Sequence, residues 1–119
     1  IGVDAVKIGM LGSPEIAAIV ADRLESLDVP IVFDPVMIAT SGSVLADDAT
    51  IAGFERLMAL ATLTTPNVAE LDALGSAAGM AARRVAYLAK PFRLSELSEA
   101  LKRLGFGAPP RESAPRYPR

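Results

Sequence analysis

Three times in its first 75 residues, this sequence runs through a short apolar stretch and then into residues that start helices. Ala5–Leu11 is mostly apolar without clean alternation, the pattern of a strand covered on both faces. Ser13-Pro14-Glu15 follows, offering a capping hydroxyl, a proline for the first turn and an acid for the positive helix end. Ile16, Ile19, Val20, Leu24 and Leu27 recur at helical spacing until Asp28 and Pro30 break the helix. Ile31–Phe33 predicts a second strand. A loop with Ser41, Gly42 and Ser43 then leads to a helix start at Asp47-Asp48, with Ile51, Phe54, Leu57, Met58 and Leu60 as its stripe. The run "TLTT" (62–65) predicts a third strand, followed by Pro66-Asn67 and a short helix through Leu71 and Leu74. Val85–Ala89 predicts a fourth strand. Strands that alternate with helices at crossover spacing imply an α/β layered fold, a parallel sheet of about four strands with flanking helices.

Composition narrows the chemistry. The 119 residues suit one domain with one core. Neither cysteine nor histidine occurs, which removes disulfides, thiolate chemistry, zinc fingers and His-based relays. No apolar run approaches the roughly 20 residues of a membrane span, and no charged-then-apolar leader opens the chain, so a cytoplasmic protein with no membrane partner is expected. Because the chain opens at Ile1, already in strand pattern, it is expected to be part of something longer. Charge is uneven: residues 1–75 hold three basic against eleven acidic residues, and residues 76–119 hold nine against three. That step suggests two regions, 1–75 and 76–106, before a disordered Pro/Arg tail at 107–119. Few aromatics and an acidic balance argue against a nucleic-acid partner.

The segment "IVFDPVMIATSG" (31–42) drives an apolar strand into a carboxylate and stops it with a proline. In a parallel sheet the carboxyl ends of the strands open onto the crevice where ligands bind. Asp34 falls at such an end, where a partly desolvated carboxylate needs a metal ion, a water chain, a lysine or a helix end. Asn67 and Glu70 fall just past the next strand, one helical turn apart. The three make an oxygen-rich set suited to magnesium beside a phosphate. Equally, Asp34 begins a loop and Asn67 caps the helix carrying Glu70; spacing alone leaves both readings open.

"DAVKIGMLGS", "DPVMIATSG" and "TPNVAEL", in this order and spacing, resemble hydroxymethylpyrimidine/phosphomethylpyrimidine kinase, a thiamine-biosynthesis enzyme with a ribokinase-like fold. The resemblance covers residues 1 to about 75. It implies phosphoryl transfer from ATP to a pyrimidine substrate with Mg2+, and it implies that Asp34, Asn67 and Glu70 serve the metal and nucleotide-phosphate region. It also implies that Met10 and Val36 line the pyrimidine pocket and that Ser41-Gly42 lies in a loop near the substrate. On composition alone, Met10 and Val36 suit plain core packing. The family's Gly-Thr-Gly-Cys anion-holding loop has no counterpart in these residues, so the chain alone is expected to turn over no substrate. Self-association through exposed sheet edges is expected.

"AARRVAYLAKPFRLSELSEALKRLG" (81–105) resembles the last strand and helix of a response-regulator receiver domain, with Lys90-Pro91-Phe92 after the strand. Leu94, Leu97, Leu101 and Leu104 form the helix stripe, and Gly105 stands past its end. That resemblance implies an alternative, a truncated receiver phosphorylated on Asp34, with Thr64 as switch hydroxyl and Lys90 as charge partner. "KIGMLGS" and "TPNVAEL" favour the kinase.

Overall fold

The structure, a computed structural model, describes residues 2–37 and 47–107. Along the chain run β1 (Val6–Ile8), α1 (Pro14–Leu24), β2 (Ile31–Phe33), α2 (Asp48–Leu60), β3 (Leu63–Thr64), α3 (Val68–Ala73), α4 (Ser76–Ala82) and α5 (Leu94–Arg103). The strands lie in the order β1-β2-β3, all parallel, with Val6 opposite Ile31 and Val32 opposite Leu63. The segment predicted as a fourth strand runs beside β3. Thr64 N–H donates to the Ala86 carbonyl at 3.0 Å, and Leu88 N–H donates to the Thr64 carbonyl at 2.8 Å. Parallel bridges Thr64–Tyr87 and Asn67–Lys90 continue the pairing. The expected layered parallel sheet is therefore present. The loop at Ser41–Ser43 and the tail beyond residue 107 lie outside the described residues.

The helix starts follow the capping chemistry. Ser13 Oγ accepts from the Ile16 N–H at 3.2 Å, with Pro14 in the first turn. Asp47 Oδ1 accepts from both the N–H and the hydroxyl of Thr50, at 2.8 and 2.6 Å. Those bonds, the hydroxyl's first, hold the Asp47 carboxyl below its ordinary pKa of 3.8. At the far end of α5, Gly105 takes φ +90°. Phe106 N–H donates to the Leu101 carbonyl and Gly105 N–H to that of Lys102, which completes a Schellman motif. The small-residue stretch 75–84 holds α4, entered through Gly75 at φ +99°.

One face of the sheet is close-packed. Ile8, Ile31 and Phe33 meet Ala17, Ala21 and Leu24 of α1 and Phe54, Leu57 and Met58 of α2. Phe33 and Phe54 are fully buried and meet edge to face, with ring centroids 5.1 Å apart. Here the predicted stripe of α1 needs correcting. Ile16 and Ile19 are 46% and 60% exposed and Leu27 is 40% exposed, whereas Ala17 and Ala21 are buried. The reason is close approach: a Cβ on Gly53 of α2 would lie 3.5 Å from the Ala17 methyl, so small residues form this helix contact. The bulkier isoleucines are turned outward.

The other face is covered more thinly by α5. Leu97, Leu101 and Leu104 are half-buried, and no residue of α5 is fully buried. Leu94, predicted in the stripe, is 81% exposed because it stands at the first helical position, beyond the edge of the covered face.

Candidate functional site at the strand ends

β2, β3 and the segment that runs beside β3 each deliver a polar residue at the carboxyl end. Asp34 directly follows β2, where its N–H donates to the Ile8 carbonyl at 2.9 Å and so extends the β1–β2 ladder. Buried Pro35 ends that ladder. Asn67 and Glu70 follow β3 and form a reciprocal capping box. Asn67 Oδ1 accepts from the Glu70 N–H at 2.8 Å, and Glu70 Oε1 accepts from the Asn67 N–H at 2.9 Å. Lys90 ends the fourth segment, its N–H donating to the Pro66 carbonyl at 2.7 Å.

These positions converge. Lys90 Nζ lies 2.6 Å from Asp34 Oδ1 and 3.7 Å from Glu70 Oε1. Glu70 is 4% exposed, the most buried member, and it tolerates burial because the Asn67 N–H and the Lys90 ammonium both face its carboxylate. One ammonium between two carboxylates leaves the cluster one negative charge in excess. The donors are hard oxygens, suited to magnesium that keeps some of its water and shares its coordination with phosphate. Asp34 and Glu70 could contribute to such a site. The Asn67 oxygen is already engaged as a helix cap. No cluster of three or more acidic, His or Cys side chains able to hold a metal occurs among the described residues.

The other expected residues lie nearby along the chain. Met10 stands two residues past β1 and is 62% exposed, so it is not core packing. Val36 stands past β2 and is half-buried, its N–H donating to the Asp34 carbonyl at 2.8 Å. Both thus follow the carboxyl ends of neighbouring strands. Ser41-Gly42 lies outside the described residues. Lys90 was tied to Asp34 only through the receiver resemblance, yet the signal for it was general. An apolar run that ends on a charge marks Lys90 just as it marks Asp34.

A family model described as phosphomethylpyrimidine kinase matches residues 1–98, a span that holds Asp34, Asn67, Glu70 and Lys90. The chain is 41% identical over 104 residues to the hydroxymethylpyrimidine/phosphomethylpyrimidine kinase of Rhizobium meliloti (strain 1021), covering 87% of this chain and 36% of that one. It is 47% identical over 73 residues to the thiamine biosynthesis multifunctional protein ThiED of Corynebacterium glutamicum, covering 60% of this chain and 10% of that one. Among solved structures, one assigned as a phosphomethylpyrimidine kinase from Bacteroides thetaiotaomicron, crystallised with pyridoxal, superposes with a TM-score of 0.53 at 28% identity. That match covers 88% of this chain and 35% of the other. The pyridoxal kinase of Staphylococcus aureus shares the fold, with a TM-score of 0.54 at 24% identity. The chain therefore spans about a tenth to a third of the length of these relatives. These matches give no support to a truncated receiver. By its motifs, its parallel sheet and the span of the family match, the chain belongs to the phosphomethylpyrimidine kinase family.

Proposed function

We propose that this chain supplies the metal and phosphate part of a site that transfers the ATP γ-phosphate to a hydroxymethyl- or phosphomethylpyrimidine in thiamine biosynthesis. The observation that supports this most is the meeting of Asp34, Glu70 and Lys90 at three neighbouring strand ends. Phosphoryl transfer depends mainly on positioning and charge stabilisation, and this cluster has both signs of charge in place. Asp34 and Glu70 would hold magnesium, which neutralises phosphate charge when bound. Lys90 would exchange its carboxylate partners for a phosphate oxygen. Asn67 orients Glu70 through the capping box, and Met10 and Val36 would contact the pyrimidine.

Neither Gly-Thr-Gly nor cysteine occurs in the 119 residues, so the isolated chain is expected to bind without turning over. A cytoplasmic location fits a biosynthetic kinase, and no helix among the described residues is long and apolar enough to cross a membrane. β1 pairs on one side only among the described residues, which leaves an edge for self-association. Sedimentation as a clean monomer would exclude that association.

Calorimetric titration with ATP, with and without magnesium, tests the site. Magnesium-dependent binding that weakens at least about tenfold in Asp34→Asn and Glu70→Gln is the expected result. Binding that ignores magnesium or both substitutions would refute the assignment.

A further inference from the structure

Two sides of α1 are accounted for by the fold. Ala17, Ala21 and Leu24 are buried in the core. Arg56 of α2 reaches Asp22 and Glu25 at 2.7 Å each, which marks the side turned to α2. The outer side carries Ile16 and Ile19, both exposed. Charges stand at either end of it. Glu15, Ile19 and Arg23 recur every four residues and so form one ridge of the helix. Glu15 and Arg23 are exposed, and neither makes an ion pair among the described residues. They cannot meet each other, because eight residues of helix hold them about 12 Å apart. An acid in the first turn and a base in the last do suit the helix dipole. The dipole, however, gives no reason for an exposed isoleucine midway between them.

The ridge is complementary to its own reverse. Read backwards, acid–isoleucine–base becomes base–isoleucine–acid, the pattern a twofold contact requires of one surface. We infer that the outer side of α1 is a contact between two copies of this chain, with the helices antiparallel and the twofold axis at Ile19. Each Ile19 then lies against its copy, and Glu15 of each chain meets Arg23 of the other at both ends. The apolar stem of Arg23 covers Ile16 of the other copy. Charge complementarity selects this occupant, since a second copy supplies both unpaired charges in the matching order. The contact uses no strand edge, so it stands apart from pairing at β1.

Sedimentation equilibrium of the 119-residue chain over a range of concentrations tests this. A monomer–dimer equilibrium is expected, and Ile19→Glu should weaken it at least about tenfold by placing two carboxylates on the axis. Glu15→Arg and Arg23→Glu should each weaken it at least about threefold. Both exchanges in one chain should restore it, and mixing the two single variants should give a heterodimer tighter than either homodimer. The double exchange sets both charges against the helix dipole, so a dipole role predicts further loss where pairing across the axis predicts recovery. The inference is overturned if the chain is monomeric at every concentration, or if its association ignores Ile19→Glu and the charge exchanges. The second result would leave the β1 edge as the contact.

Discussion

Replacing Lys90 with methionine keeps an unbranched side chain of similar reach and removes the ammonium from between Asp34 and Glu70. In the native chain that ammonium is 2.6 Å from one carboxylate and 3.7 Å from the other. Two limits bound the cost. Breaking a fully buried pair costs about 3–5 kcal/mol because a charge is left uncompensated. An exposed pair is worth about 0.2–1 kcal/mol. The Lys90 and Asp34 side chains are 32% and 20% exposed, so water screens that contact and part of the loss is recovered by hydration. Glu70, at 4%, cannot rehydrate so easily, yet it keeps the Asn67 N–H. A net loss of about 1.5–2 kcal/mol follows, between the two limits. For a domain of this size that lowers the unfolding midpoint by roughly 6–10 °C. Urea and thermal unfolding followed by circular dichroism read it directly. If Asp34 and Glu70 can hold a divalent cation, millimolar magnesium should restore part of the loss in Lys90→Met and add less to the native chain. A variant within about 0.5 kcal/mol of native would show that the ammonium does not hold the strand ends together. A destabilised variant indifferent to magnesium would refute the metal role of the two carboxylates.

Three further outcomes are expected. Thr64 Oγ1 is fully buried with no hydrogen-bond partner among the described residues, so Thr64→Val should stabilise by about 1 kcal/mol in urea unfolding; destabilisation would mean the hydroxyl has a partner. Gly105→Ala puts a Cβ at φ +90° in the Schellman turn and should cost about 1 kcal/mol, visible as reduced helicity near the end of α5. Because Asp47 has a lowered folded-state pKa, its capping contribution is present above its unfolded value near 3.8 and fades as pH falls through the folded value. Asp47→Asn should flatten that acid-side slope in pH-dependent unfolding, and an unchanged slope would assign it to other groups.

Local chemistry was the most legible part of this chain. Ser13, Asp47, Asn67 and Gly105 each sit where capping rules put them, because such residues satisfy backbone groups within three or four positions. The α1 stripe held at Val20 and Leu24 and failed elsewhere for a physical reason. Alanine carries little hydropathic signal, so Ala17 and Ala21 were outweighed by Ile16 and Ile19, although close approach to Gly53 selects small residues. Asp34, Asn67 and Glu70 were visible as polar endings to apolar runs. Their meeting with Lys90 was harder to see, because the Asp34–Lys90 contact spans 56 positions and depends on the order of the strands. Whether Asn67 serves as cap or ligand could not be resolved from spacing, and the geometry has it capping.

The uneven covering of the sheet has a kinetic consequence. Lys90 arrives on the same stretch of chain that carries α5, the element with no fully buried residue, while Asp34 directly follows β2, whose Ile31 and Phe33 belong to the core, and Glu70 is itself buried. Segments with few buried contacts open at lower free energy than the rest of a domain. Residues 86–106 should therefore exchange their amide hydrogens well before those of β2 and α2, and each such opening would carry the ammonium away from the carboxylates. Uniform exchange across both regions would show the chain opening as one unit. Otherwise the charge at the strand ends alternates in time between one excess negative charge and two, and capture of a cation there would be gated by the fraying of a segment whose helix never touches it.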